Sequence, residues 1–191
     1  MRASVVFGMP LEGGESEGTL APFAEGRQGK ASPLGHRAIL AASIVKIGSA
    51  ERFRGSFHLP GDKSLSHRLA LFGAIAHGTT RITNFGTAAD NASTLACLEA
   101  LGVFVRRDGS TVEIEGRGPE GLRAPLDVLD CGNSGSTLRM LAGILAGRPF
   151  RSVLTGDASL QRRPVERVAV PLRQMGARAT SEGGKPPLVL E

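Results

Sequence analysis

From residue 53 onward, the apolar positions follow two periods in turn. "FRGSFHL" alternates apolar and polar residues and stops at Pro60-Gly61, as a strand does before a turn. Leu65, Leu69, Phe72 and Ile75-Ala76 then recur at helical spacing, and Gly78 is the expected stop. "TTRITNF" reads as a strand. Asp90 is placed to cap a second helix whose apolar face is Leu95, Leu98 and Leu101, with Gly102 ending it. "VFVRRDGSTVEIEG" predicts a hairpin turning at Asp108-Gly109.

The same order returns further along. "LDVLD" is a short strand and "GNSG" a turn, and Leu138, Leu141 and Leu145 line a helix closed by Gly147. "RSVLTG" is a strand, Pro164 opens a helix from its first turn, and Gly176 stops that helix. "PPLVLE" stands where the first unit has "TVEIEG". Arg68 matches Arg139, and Gly78 matches Gly147. The fold class is therefore α/β (α+β), built from repeated βαβαββ units over 62–122 and 123–191, units that cover their apolar faces by stacking. Pro171 inside the last helix predicts a kink or an early end, since an interior proline costs about 3 kcal/mol.

Residues 1–43 differ. "LEGGESEGTLAPFAEGRQGKASP" is Gly/Ser/Pro/Glu-rich and lacks either period, which predicts a disordered or non-native extension. Its short apolar run "ASVVFGM" makes a poor secretory signal, and Glu12, Glu15, Glu17 and Glu25 make a poor transit peptide. "LGHRAILAASIVKIG" has the composition of a short helix or strand.

Composition narrows the partners. A net charge of +5 favours anions. With no Trp, no Tyr and 8 Phe, the chain lacks stacking platforms for single-stranded nucleic acid, and its basic residues form no block. The cations are mostly arginine, suited to clamping phosphate or carboxylate, so a small anionic ligand is expected, with no nucleic-acid partner. No apolar run is long enough to span a bilayer, so no membrane partner is expected. Cys97 and Cys131 form no metal pattern or disulfide framework, which fits a reducing, cytoplasmic setting and two small core residues.

The chemistry concentrates in "LPGDKSLSHR". One reading makes Asp62 or Ser64 an N-cap and leaves Lys63, His67 and Arg68 as solvated polar residues. The other puts Ser64 and Arg68 on one helix face, with Lys63 beside the electropositive helix start, where they converge on an anion. A phosphate-binding P-loop is excluded: Asp62 separates Gly61 from Lys63, and the residue five before Gly61 is Ser56. "CGNSGSTLR" repeats the design, with Gly135 four residues before Arg139 as Ser64 is before Arg68. Gly132 and Gly135 let backbone N–H groups approach a ligand. "GDASLQRRPVERV" places Arg162 and Arg163 at a third helix start, a weaker signal on its own.

Taken in order, "LPGDKSLSHR", "DCGNSGSTLRML" and "LTGDASLQRRPVERV" resemble the N-terminal part of the 5-enolpyruvylshikimate-3-phosphate synthase family, over about Val45 to Glu191. The sister family acting on UDP-N-acetylglucosamine shares that fold without the first motif. The resemblance implies the enolpyruvyl transferase fold, two domains of three units each, substrates in the cleft between them, and residues 44–61 pairing with the second domain. It implies that Lys63 contacts both phosphoenolpyruvate and shikimate 3-phosphate, that Ser64 and Arg68 bind the shikimate moiety, and that Gly135, Asn133 and Arg163 hold phosphoenolpyruvate. It implies no metal and no cofactor, and a monomeric full-length form.

The family's acid–base groups belong to parts with no counterpart in residues 1–191. Asp62, Asp90 and Asp157 read as helix caps instead, so the chain carries no catalytic residue of its own. The expectation is a truncated chain, with about two of three units of one domain, that is inactive alone. The alternatives are a non-catalytic binder of phosphorylated metabolites and the UDP-sugar enzyme.

Overall fold

The computed structural model describes residues 59–191. The disordered extension expected over 1–43, and nearly all of the 44–61 strand segment, lie outside the described residues. Helix α1 spans Lys63–Ile75, strand β1 His77–Ile82, helix α2 Ala89–Ala100, and strands β2 and β3 Phe104–Asp108 and Thr111–Arg117. There follow strand β4 (Leu129–Asp130), helix α3 (Gly135–Leu145), strand β5 (Ser152–Thr155), helix α4 (Glu166–Gln174), and strands β6 (Ala179–Glu182) and β7 (Lys185–Leu190).

The repeat is visible in the sheets. One sheet has the order β1-β3-β2 and the other β4-β5-β7-β6, so β5-β7-β6 reproduces the first sheet and β4 joins it in parallel. The helices pack against one another and onto strands, and one hydrophobic core runs through both units. Leu98, Leu101, Ile114, Leu138, Leu141, Leu154 and Leu188 are all fully buried. Each such leucine contributes about 1.5–3 kcal/mol by leaving water.

Helices α2 and α3 bury the faces that their leucines predict, and Gly102 and Gly176 follow their helices at φ +82° and +94°. Helix α1 does not. Its predicted apolar stripe faces outward, with Leu65 53%, Leu69 36% and Phe72 65% exposed, while Ser66, His67, Ala70, Leu71, Gly73 and Ala74 face inward. Close approach explains the inversion. A Cβ on Gly116 of β3 would stand 2.2 Å from the Gly73 carbonyl oxygen and 2.3 Å from that of Ala76, so the C-terminal end of α1 lies directly on the sheet with no room for a side chain at that contact.

Other boundaries move by a few residues. Gly78 lies in β1 opposite Gly116 rather than ending α1, which stops at Ile75 before an extended Ala76. The hairpin turns at Gly109-Ser110, because Asp108 pairs with Thr111. Pro164 precedes α4 instead of opening it: Leu160–Arg162 forms a 3₁₀ turn, and Val165 is the residue before the helix. Pro171 lies inside α4, which ends three residues later at Gln174.

Candidate functional site

The start of α1 is held by short-range chemistry. Asp62 caps it, accepting from the Leu65 N–H at 2.6 Å. Ser66 Oγ donates to the Asp62 carbonyl at 2.7 Å and accepts from the Gly86 N–H at 2.8 Å, stitching the loop before α2 onto α1. The Asn91 side chain donates to the Lys63 carbonyl at 2.9 Å. Lys63 Nζ lies 2.5 Å from Asp90 Oδ2. Asp90 is therefore the lysine's counter-ion and not the cap of α2, whose flanking Ala88 makes no side-chain cap bond. Lys63, Ser64 and Arg68 are all exposed. The side chains of Ser64 and Arg68 make no hydrogen bond or ion pair among the described residues.

The start of α3 is built differently. Gly132, at φ +56°, turns the chain out of β4, and Ser134 caps the helix by accepting from the Thr137 N–H at 3.1 Å. The Asn133 amide donates to Asp157 Oδ2 at 2.7 Å, and its oxygen accepts from the Arg163 guanidinium. Asp157 Oδ1 also accepts from the Leu160 N–H at 2.8 Å. These bonds, the Leu160 N–H foremost and Asn133 next, hold the Asp157 carboxyl below the usual carboxylate range.

Gly135 is buried, and a Cβ there would lie 3.5 Å from Arg163 Nη1 and 3.6 Å from the Arg139 guanidinium. Desolvation, then the charges of Arg167 and Arg163, push the Arg139 guanidinium below its ordinary value. None of Arg139, Arg163 and Arg167 has an acidic partner among the described residues. Arg163 reaches the cluster through Asn133 and does not stand at a helix start, contrary to the sequence expectation. The Arg162 side chain is exposed outside it.

Asp90 joins the two clusters. Its side chain pairs with Lys63 of α1, while its carbonyl oxygen accepts from Thr137 Oγ of α3 at 3.2 Å. The first turns of α1, α2 and α3 are thereby brought together. Among the described residues, no hydrogen bond or ion pair runs directly from Lys63, Ser64 or Arg68 to Asn133, Gly135 or Arg163. Two shallow hollows, of about 210 and 220 Å³, lie elsewhere, one between α2 and β2 and one before β4 and β5.

Several linking residues were not singled out from sequence as site residues: Ser66, Asn91, Thr94, Ser134 and Thr137, all buried. His67, read as a solvated polar residue beside the cap, is fully buried. A usable signal existed in Thr94, which falls one turn after Asp90 and one residue from Leu95, on the inward side of α2.

Comparison with known proteins gives a consistent picture. The family model described as EPSP synthase (3-phosphoshikimate 1-carboxyvinyltransferase) matches residues 47–191. A 3-phosphoshikimate 1-carboxyvinyltransferase of Herpetosiphon aurantiacus is 53% identical over 146 residues, covering 75% of this chain and 34% of that protein. One of Roseiflexus sp. is 56% identical over 135 residues, covering 70% and 31%. A solved EPSP synthase of Acinetobacter baumannii superposes with a TM-score of 0.67 at 48% identity, over 70% of this chain and 31% of that one. The chain spans about a third of the length of the curated relatives it matches.

Proposed function

The chain belongs to the EPSP synthase (3-phosphoshikimate 1-carboxyvinyltransferase) family, and on that premise we propose that residues 59–191 supply one wall of an enolpyruvyl transfer site. In the reaction, the 5-hydroxyl oxygen of shikimate 3-phosphate bonds to C2 of phosphoenolpyruvate and gives up its proton to a base as a proton adds to C3. Loss of a C3 proton and of phosphate from C2 then restores the double bond. Lys63, Ser64 and Arg68 hold shikimate 3-phosphate, with Lys63 also reaching phosphoenolpyruvate. Asn133, Gly135 and Arg163 hold phosphoenolpyruvate, whose phosphate and carboxylate call for several fixed cations. Preorganised charge of this kind is usually the largest single catalytic term.

The observation that carries this reading is the meeting of three helix starts at Asp90, with arginines lacking acidic partners among the described residues on one side of it. Of the three aspartates at or beside these helix starts, Asp62 and Asp157 are engaged as caps and Asp90 pairs with Lys63. In this reading residues 59–191 act as a substrate-binding wall, in a monomeric protein of the cytoplasm. Calorimetry of the chain with shikimate 3-phosphate, phosphoenolpyruvate, UDP-N-acetylglucosamine and an oligonucleotide at two salt concentrations tests it. Binding of shikimate 3-phosphate but not the UDP-sugar is expected. Binding of the oligonucleotide alone, with a steep salt slope, would refute the proposal.

A further inference from the structure

A line of buried polar side chains crosses the otherwise leucine-rich core beneath the candidate site. His67, Thr94, Thr137 and Ser134 are each fully buried, with exposures of 0%. His67 Nδ1 lies 2.7 Å from Thr94 Oγ, Thr94 Oγ lies 2.7 Å from Thr137 Oγ, and Thr137 Oγ lies 2.7 Å from Ser134 Oγ. The chain thus runs from α1, through α2, into the cap of α3. Burying four polar groups is costly unless each is paired, and leucine would fill the same space without that cost.

We infer that His67 is a positioning residue: in its Nδ1–H form it heads a directed hydrogen-bond relay through Thr94 and Thr137 to Ser134 that sets the spacing between the starts of α1 and α3. The functional consequence rests on the reading that these two starts hold ligands.

The direction follows from counting protons. Each hydroxyl has one to give, and the Asp90 carbonyl is a terminal acceptor, 3.2 Å from Thr137 Oγ. His67 Nε2 has no hydrogen-bond partner among the described residues. A proton on Nε2 would strand a donor; a proton on Nδ1 donates to Thr94, whose own proton goes to Thr137 at 2.7 Å in preference to the Asp90 carbonyl at 3.5 Å, and Thr137 donates on to Ser134 at 2.7 Å in preference to that carbonyl at 3.2 Å. Orphaned buried donors are the rarer case.

The ring is also held neutral. Desolvation lowers its pKa, Asp90 of α2 raises it, and Lys63 of α1 lowers it, while α3 presents only the uncharged Thr137 and Ser134. A relay of this kind explains why a histidine occupies the inward face of α1.

The test uses the whole 191-residue chain. Nitrogen-15 NMR of the imidazole ring at neutral pH identifies which nitrogen carries the proton, and Nδ1 is expected. His67→Leu removes the donor and keeps the bulk; His67→Asn keeps an N–H near the Nδ1 position. His67→Leu is expected to shift the amide resonances of Ser134 and Gly135 and to weaken shikimate 3-phosphate binding about tenfold, the loss of one hydrogen bond, with His67→Asn within about twofold of the parent. Should His67→Leu fail to fold, Thr94→Val cuts the relay with the ring in place and takes over its role.

A proton on Nε2, or unmoved Ser134 and Gly135 amides in the cut variant, overturns the inference. If the parent chain binds no shikimate 3-phosphate, the proposed function falls, while the ring proton and the amide shifts still decide the relay.

Discussion

The starts of α1 and α3 occupy equivalent places in the two units, yet they handle charge in opposite ways. At α1, the one cation close to the helix start, Lys63, is paired with Asp90, and the side chains around it are exposed. At α3, Arg139 and Arg163 lie beside a buried glycine, the charge of Arg167 also reaches Arg139, none of the three is ion-paired among the described residues, and a neutral amide, Asn133, stands between Arg163 and Asp157. Repetition has preserved the backbone device, a capped helix start aimed at a shared region, and has altered its electrostatics. On the proposed function, the α3 start offers an anion arginines that carry no ion pair among the described residues, whereas Lys63 at the α1 start would have to leave Asp90.

The strongest way to break this contrast is Arg163→Ala. Each hydrogen bond to a charged group is worth about 1.5–3 kcal/mol, so phosphoenolpyruvate affinity should fall about 10- to 100-fold by calorimetry. Shikimate 3-phosphate affinity should change far less. Equal losses for both ligands would mean that the two starts do not divide the work.

Thr137→Val attacks the joint between them. It leaves the Asp90 carbonyl, Ser134 and Thr94 short of a buried partner, and urea unfolding should show a loss of about 1–3 kcal/mol. A neutral result would show that the joint is dispensable.

Asp90→Asn sharpens the contrast by making α1 resemble α3. A half-exposed ion pair is worth about 0–1 kcal/mol, so releasing Lys63 should raise inorganic phosphate affinity up to about fivefold, with a steeper salt dependence. Weaker binding would mean that Asp90 orients the lysine rather than competing with the ligand.

The smallest expected effect is one of pH. His67 is held neutral in the fold, so the unfolded chain binds more protons once pH falls below the ordinary imidazole pKa of about 6.5. Stability is full above that pH and is lost as pH falls toward the lower folded value, and His67→Asn should flatten this part of the profile. The contribution of Asp157 has the same sign at lower pH, present above the ordinary carboxylate range and lost as acid protonates it.

The sequence was informative where one physical rule acts alone. Leucine spacing in α2 and α3 identified their buried faces, because both helices pack at distances that large side chains can fill. The motifs, read with the family resemblance, picked out the helix starts that the structure gathers around Asp90. The α1 stripe misled for a specific reason: at Gly116 the helix lies so near the sheet that its inward face is mostly small or polar, with Leu71 the large apolar residue on it, and Leu65, Leu69 and Phe72 face out. Asp90 was read as a cap because acids at helix starts commonly are caps. Its pairing with Lys63 is a long-range contact that no local pattern encodes. His67 was hidden in the same way, since its hydrogen-bond partner, Thr94, lies 27 residues away.

The central claim is that two sequence-distant helix starts answer to one ligand-binding region. An amide NMR titration of the chain with shikimate 3-phosphate, followed by phosphoenolpyruvate, measures this directly. Residues 63–66 and 132–135 are predicted to shift in the same titration, with the second ligand perturbing both sets again. Saturable shifts confined to one helix start, or scattered over the outer sheets, would contradict it.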